Sequence, residues 1–399
     1  MSTNHIIKKN GYLDYYKEKN IIPVNQRTDT SIVFKQHFNR RIYLYRCLGL
    51  VPAFIKDKSV VEFGPGPGDN AVITDSFKPA EYLLVDGNPA SVQTVKAKIE
   101  DGKLNSERCS VVEADFHTYS SDEKYDLVLC EGCIHPQPNP KKLIKHLGGF
   151  CAPGGLLITS TETAISTLAD VCRMLFAPAI SKKTEDFHAQ VDIAVEIFDK
   201  HLASLGVGSS RRPTEDWVLD GIFFPWAEKD EHISIPDVIN ALQEDFQFYG
   251  SSPKYLQDSR WFKSVYEDDT GLNKLALEQY DRFVLGLLDC RVTSENLPKI
   301  DNQRVADIEG LCKQAHSYYR IINGEESYDK LDEFLSTLQN VVAILPNEML
   351  VTKNSILDFV RGMPHIAEGN LDYSFGEFVD WWGRGEQYVS LIRNDVERF

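Results

Sequence analysis

Nowhere in the 399 residues is there a run of about 18 apolar residues, so no membrane-spanning helix is expected. The opening Met1-Ser-Thr-Asn-His-Ile-Ile-Lys-Lys-Asn10 lacks the apolar stretch of a signal peptide, which makes the cytoplasm the expected location. Positive charge is scarce too. The chain has 43 Lys and Arg against 59 Asp and Glu, a net charge of −16, and such a surface repels a phosphate backbone. Nucleic acid is therefore not the expected partner. One short stretch runs against the average, His37, Arg40, Arg41 and Arg46, and it reads as a solvated helix face. The eight cysteines, scattered through predicted helices and strands, show no disulfide-like framework and fit reduced thiols. Cys130-Glu-Gly-Cys133 reads as CxxC, but with no second CxxC and no nearby His pair a tetrahedral zinc set is incomplete, and no metal is expected. Internal repeats and low-complexity segments are also missing.

What is present divides the chain by pattern. Residues 1–57 read as an N-terminal helical segment, with Phe34, Phe38, Ile42, Tyr45 and Leu48 at three- and four-residue steps along one face. From residue 58 to about 160, short apolar runs alternate with amphipathic segments. The runs are Ser59–Phe63, Tyr82–Asp86, Cys109–Glu113, Tyr125–Cys130 and Gly155–Thr159. Five strands separated by helices imply a mostly parallel sheet in an α/β fold. A core over 58–253 is expected, with a lid at about 161–240 that carries Arg211, Arg212, Trp217, Phe223, Phe224 and Trp226. Asp245–Gly250 reads as a sixth strand. Residues 254–380 read as a helical subdomain, with Leu331, Phe334, Leu335, Leu338, Val341, Val342 and Leu345 as its clearest stripe. Over 381–399, Gln387–Arg393 is expected to return to the sheet as a seventh strand, and Trp381 and Trp382 before it read as core packing.

The most specific signal is Val60-Val-Glu-Phe-Gly-Pro-Gly-Pro-Gly-Asp-Asn70, a strand that runs straight into Gly64, Gly66 and Gly68 and then a helix start. Glycine lets the backbone turn sharply and lets a ligand approach main-chain atoms that a Cβ would block. Dinucleotide loops carry GxGxxG, whereas this loop is GxGxG, preceded two residues earlier by Glu62. Pro65 and Pro67 also remove N–H donors that a pyrophosphate would use. The loop therefore suits a ligand without phosphates, and a nicotinamide dehydrogenase is the least favoured enzyme reading.

An acidic residue before GxGxG at the end of a first strand resembles motif I of the class I S-adenosylmethionine-dependent methyltransferases. Later positions are similar to the family's as well. Asp86 closes the second strand, where the resemblance implies a carboxylate that accepts both ribose hydroxyls of the cofactor. Glu113-Ala-Asp-Phe116 resembles the adenine contact, so Asp115 would accept from the exocyclic amine and Phe116 would lie beside the ring. Tyr125–Glu131 resembles the fourth strand and its end, which faces the methionine part and the reacting methyl, and Ala152-Pro-Gly-Gly155 resembles the turn before the fifth strand. The resemblance covers residues 58–160. It implies a Rossmann-like methyltransferase sheet, mostly parallel, to which the patterns outside it add N-terminal helices and a large helical cap or insertion. It also implies S-adenosylmethionine as cofactor, S-adenosylhomocysteine as product, and Glu62, Gly64, Gly66, Gly68, Asp86, Asp115, Phe116 and Glu131 as the cofactor-binding set. Three of these have a plainer reading: Asp86 as a strand end, Asp115 as a helix cap, Glu62 as an acceptor for loop amides.

Methyl transfer from a sulfonium depends on positioning and water exclusion more than on acid or base help. Only a hydroxyl or ammonium acceptor needs a base, and Glu131 and His135, in Cys130–Pro138 beyond the fourth strand, are the candidate catalytic residues. His188, His232 and Tyr249 are weaker candidates. The expected function is methyl transfer to an oxygen or nitrogen of a small-molecule or glycan-like acceptor, with no membrane partner. The alternatives are a protein or RNA methyltransferase, or a non-catalytic S-adenosylmethionine-binding protein. The sequence leaves the oligomeric state open.

Overall fold

The computed structural model describes residues 11–19, 21–22, 31–205, 214–224, 232–264, 271–293, 296, 298 and 300–394. They fall into two compact units, one drawn from Met1–Thr161, Glu231–Tyr280 and Glu386–Phe399, the other from Glu162–Asp230 and Asp281–Gly385. Among the described residues no helix is long and apolar enough to cross a membrane.

The first unit is built on a seven-stranded sheet. Its strands are β1 (Ser59–Phe63), β2 (Glu81–Asp86), β3 (Cys109–Glu113), β4 (Tyr125–Cys130), β5 (Cys151–Thr161), β6 (Phe246–Ser252) and β7 (Gln387–Arg393), in spatial order β3-β2-β1-β4-β5-β7-β6. The first five are parallel, and β7 lies antiparallel between β5 and β6. This is a Rossmann-like, mostly parallel sheet, and each expected strand is present. The fifth is longer than its apolar run. It starts at Cys151, and the ladder with β4 jumps from Tyr125↔Cys151 to Leu127↔Leu156, so the Ala152-Pro-Gly-Gly155 turn is accommodated inside the strand as an irregularity, with Gly154 at φ +73°.

Apolar runs such as Val60-Val61 and Leu127-Val128-Leu129 are buried on both faces because helices cover both sides of a parallel sheet. One face carries Val60, Tyr82, Leu84, Leu127, Leu129, Leu156 and Ile158, packed with Tyr45 of α2 (Ser31–Cys47) and Leu48 just after it, Ala71 of α4 (Asp69–Asp75) and Val95 of α5 (Pro89–Glu100). The unit's remaining early helices are α1 (Gly11–Lys19), α3 (Pro52–Ile55) and α6 (Pro140–Gly148). Burying one such aliphatic side chain stabilises by about 1.5–3 kcal/mol.

Two local expectations shift here. The buried stripe of α2 is His37, Arg41 and Tyr45, continued by Leu48 just beyond its end, while Phe34, Phe38 and Ile42 are only half-buried, so the basic stretch is not a wholly solvated face. Arg40 and Arg46 are exposed, but His37 and Arg41 point inward. Tyr249 falls where the β6–β7 register slips between Phe248 and Gly250, and this bulge turns its ring outward over Gly49.

The second unit is helical, including α7 (Leu168–Met174), α8 (Ala177–Ser181) and α9 (Phe187–Ser204), with further helices at Asn302–Glu325, Leu331–Ile344 and Leu350–Ala367. Trp217 packs edge-on to Phe198 and Trp382, Phe223 packs on Phe187, and Trp381 donates its indole N–H to the Leu288 carbonyl, so these aromatics serve as packing within this unit. Arg211, Arg212 and Trp226 lie outside the described residues.

His201 is fully buried between the rings of Phe198 and Phe378, and neither of its ring nitrogens has a hydrogen-bond partner among the described residues. Burial first, then the nearby Arg173, depresses its pKa to about 2. An unfolded histidine titrates near 6.5, so below about pH 6.5 the unfolded chain binds a proton that the folded chain refuses. Stability therefore falls as pH drops, by up to about 1.4 kcal/mol per pH unit from this group alone. His201→Leu is expected to raise the melting temperature, more at pH 5 than at pH 7.5, in calorimetric melts. A lower melting temperature at both pH values would refute this account.

Candidate functional site

In a sheet of this order the connections from β1 and β4 leave in opposite directions, which opens a crevice beyond their carboxyl ends. The glycine loop follows β1 and the Glu131–Asn139 loop follows β4, so both border that crevice.

The glycine loop is fixed by its own geometry. Gly64, Gly66 and Gly68 have φ of +74°, +55° and +80°, where any other L-residue is strained. A Cβ on Gly64 would also come within 2.7 Å of Cys133 Sγ and 3.3 Å of the Phe116 ring. From α5, the Lys98 ammonium donates to the Pro67 carbonyl and to Asp69, each at 2.6 Å, and pins the far side of the loop.

Asp86 closes β2 and is buried. One carboxylate oxygen accepts from the Gly66 N–H at 3.0 Å and the other from the Asn88 N–H at 2.7 Å. Burial raises its pKa to about 6, against the pull of these two amides. A carboxylate has about four lone-pair positions, so two remain for a ligand's hydroxyls. The amide that Asp86 engages is one a phosphate would have used, and its charge repels an anion. Together with the two prolines this leaves the loop poorly suited to a pyrophosphate.

Glu62 is buried on the same sheet face and takes the Tyr82 hydroxyl rather than a loop amide. Burial first, then the charge of Glu131, pushes its carboxyl up to about 7. Glu131, at the end of β4, forms a bidentate pair with Arg41 of α2, at 2.7 and 3.2 Å, and both side chains are only 6% exposed. Arg41 also donates to the Tyr45 hydroxyl at 3.0 Å, which bonds Thr74 of α4 at 2.8 Å. Burial opposes a charged guanidinium, but Glu131 and Tyr45 outweigh it and hold the Arg41 pKa above the ordinary arginine value.

Asp115 is half-buried and its Oδ1 accepts from the His117 N–H at 2.8 Å, a local turn bond that leaves Oδ2 for another donor. Phe116 is buried, edge-on to Phe63 and close to Gly64. His135 is half-buried on the loop beyond Glu131. Elsewhere, His188 is exposed in the second unit, His232 is half-buried, and Tyr249 is the bulge residue described above. Asp126, given no role from sequence, holds Lys58 and Ser59. Cys130 and Cys133 are buried free thiols with sulfurs 3.2 Å apart, and their hydrogen bond and burial hold the Cys133 thiol well above its usual pKa. No group of three or more His, Cys, Asp and Glu suited to a metal occurs among the described residues.

Sequence reasoning missed two members of this region. Arg41 was hidden in a basic run, and Glu386 stands immediately before β7. Because β7 is antiparallel, with Gln387 opposite Thr161, its first residues lie at the carboxyl edge. Counting Glu62, Asp86, Glu131 and Glu386, four buried or half-buried carboxylates share this edge with the Arg41 guanidinium. Those acceptor carboxylates fit a cationic ligand that carries a pair of hydroxyls.

Residues 36–242, more than half of the chain, match the family model described as a methyltransferase domain. Among curated proteins, a trans-aconitate 2-methyltransferase from Methylobacterium radiotolerans is 29% identical over 98 residues, 24% of this chain and 35% of that protein. A malonyl-[acyl-carrier protein] O-methyltransferase from Ilyobacter polytropus is 29% identical over 113 residues, 27% of this chain and 42% of that protein. The chain thus spans 35–42% of the length of the curated relatives it matches. Among solved structures, the N-methyltransferase NodS from Bradyrhizobium japonicum, in complex with S-adenosylhomocysteine, aligns over 39% of this chain and 74% of its own, at 16% identity and a TM-score of 0.30.

Proposed function

Because the chain belongs to the class I S-adenosylmethionine-dependent methyltransferase family, we propose that it transfers a methyl group from S-adenosylmethionine to an oxygen or nitrogen of a small-molecule acceptor. The observation that carries this reading is the glycine loop held to Asp86 at the end of β2, with Glu131 and its Arg41 partner beyond β4. Of the two curated relatives, the trans-aconitate 2-methyltransferase favours a free small acid as acceptor, whereas the malonyl-[acyl-carrier protein] O-methyltransferase acts on an acid carried by a protein, so a small carboxylic acid, free or tethered, is the acceptor chemistry the two share.

When bound, the cofactor supplies an electrophilic methyl on a sulfonium, whose positive charge disappears on transfer. The protein's own part is to bind, orient and exclude water. Asp86 would accept the ribose hydroxyls with the lone pairs its two amide bonds leave, while those amides keep it charged and fixed in direction. Asp115 Oδ2 and Phe116 would receive the adenine. Gly64, Gly66 and Gly68 give the close backbone approach, and Glu62 acts from beneath by holding Tyr82 and adding negative charge. Glu131, oriented by Arg41, would face the reacting end, and His135 on the same loop would take a proton from a hydroxyl or ammonium acceptor.

The test is calorimetric titration of the purified chain with S-adenosylhomocysteine, with NAD as control. It is followed by release of S-adenosylhomocysteine from S-adenosylmethionine over a panel of carboxylic acids, alcohols, phenols and amines. Saturable binding of S-adenosylhomocysteine and not NAD, with turnover on one acceptor class, is the expected result. Preference for NAD would overturn the reading. Tight binding with no turnover on any acceptor, protein and RNA included, would leave a non-catalytic cofactor-binding protein.

A further inference from the structure

Glu386 is separated from the glycine loop by more than 300 residues, yet the sheet order brings it to the same edge. It precedes β7 by one residue, and β7 pairs with β5 so that Tyr388 faces Ser160 and Gln387 faces Thr161. Gly132, at φ +72°, turns its bare Cα to this carboxylate: a Cβ built there would lie 3.5 Å from Glu386 Oε1. One oxygen of Glu386 accepts the Tyr388 hydroxyl at 2.5 Å. The other, Oε1, is sealed from solvent and closes no hydrogen bond among the described residues. The Gly132 N–H and the Ser160 hydroxyl face Glu386 and favour its charged form, but the N–H is spent on Ser160 Oγ at 2.7 Å.

The charges around it are lopsided. The guanidinium of this region, Arg41, acts on Tyr388 and is already committed to Glu131 in a bidentate pair. Burial first, and then Glu131, makes the charged form of Glu386 costly and raises its pKa. A buried carboxylate oxygen without a donor is unfavourable unless a proton or a cation comes to it.

We infer that Glu386 is a specificity-determining residue that recognises the positive charge of the sulfonium, so that the site prefers S-adenosylmethionine over its neutral-sulfur product S-adenosylhomocysteine. The inference rests on the function proposed above and extends it. With S-adenosylmethionine bound, the sulfonium would sit in the field of this buried carboxylate rather than in contact with Oε1. Once the methyl has left, that positive charge would be gone, the carboxylate would again lack a counter-charge, and product release would be favoured. The groups that face Glu386 are Glu131, the Gly132 N–H and the Cys133 thiol from the loop after β4, Ser160 from β5 and Tyr388 from β7, and of these only Glu131 adds a second carboxylate. Lowering the pH protonates Glu386 and removes the preference, so the affinity ratio of S-adenosylmethionine to S-adenosylhomocysteine rises with pH.

The experiment measures dissociation constants by calorimetry for S-adenosylmethionine, S-adenosylhomocysteine and sinefungin, which carries an ammonium in place of the methyl sulfonium, in the full chain and in Glu386→Gln. Glutamine keeps the size and an acceptor for Tyr388, and a thermal melt verifies folding. The expected result is about a tenfold loss for the two cationic ligands and under twofold for S-adenosylhomocysteine. A uniform loss for all three, or no change in the ratio, would overturn the inference while leaving the cofactor assignment intact. Failure of the wild-type chain to bind any of the three would instead sink the proposed function. Tyr388→Phe serves as the second variant: it frees Oε2 without removing the charge, so the preference should persist there.

Discussion

Asp86→Ala is expected to weaken S-adenosylhomocysteine binding by tenfold to a hundredfold in calorimetric titration, about 1.4–2.7 kcal/mol, while the protein stays folded. Two contributions act together. The variant loses the acceptors proposed for the ribose hydroxyls, and it releases the Gly66 and Asn88 amides that Asp86 now holds at 3.0 and 2.7 Å, so the glycine loop loses its anchor to β2. Unpaired buried amides cost about 1–3 kcal/mol each. Against this stands the burial of the carboxylate itself. Its folded pKa of about 6 lies above its ordinary value of 3.8, so the folded state binds a proton more readily between those values. Stability from this group is therefore highest below about pH 4 and falls as pH rises through 6. The two effects oppose each other at pH 7.5, which is why a large binding loss is expected with only a small change in melting temperature. The same pKa sets the acid limb of wild-type binding. Affinity should hold above about pH 6 and decline below it, because a protonated carboxyl has fewer lone pairs to offer two hydroxyl donors. Undiminished binding in Asp86→Ala would mean that the ribose contact lies elsewhere.

How much of this was legible in the sequence depends on how far apart the cooperating residues are. Strands β1, β2 and β4 and the Leu156–Ile158 part of β5 were readable because helices cover both faces of a parallel sheet, so each carries a short apolar run, while the largely exposed edge strand β3 was readable from its Val111-Val112 pair and its spacing. The glycine loop was readable because it joins β1 directly to a helix and its turn is local. Asp86 was readable from position alone, at the end of the second run. Arg41 was not. In a helix an arginine between His37 and Tyr45 normally signals a solvated face, and the carboxylate that draws it inward lies 90 positions away. That pairing rotates the buried stripe of α2 away from Phe34, Phe38 and Ile42. Tyr249 looked like a strand-end candidate because a bulge leaves no mark in the alternation of apolar residues. Glu386 was invisible for a topological reason: it becomes part of the edge only because β7 enters antiparallel between β5 and β6, which no local pattern reveals.

Breaking the Arg41–Glu131 pair should have the largest effect on stability. Arg41→Met is expected to lower the free energy of unfolding by about 3–5 kcal/mol, because it strands a buried carboxylate beside Glu62 and Glu386. Methionine matches the aliphatic stem of arginine, so lost packing contributes little. The charge of Glu131, not the missing guanidinium as such, is the source of the penalty. Neutralising it in the double variant Arg41→Met, Glu131→Gln should then recover most of the loss, and Glu131→Gln alone should be intermediate, since it leaves Arg41 buried with Tyr45 as its remaining partner. Denaturant titrations of the four proteins form a double-mutant cycle that isolates the pair. A single Arg41→Met loss below about 1 kcal/mol would place the pair in the class of exposed ion pairs, in contradiction to its 6% exposure. Additive losses in the double variant would show that the two side chains contribute separately. Strong coupling would mean that α2 is held to the end of β4 by charge, with the candidate cofactor crevice bordered by both.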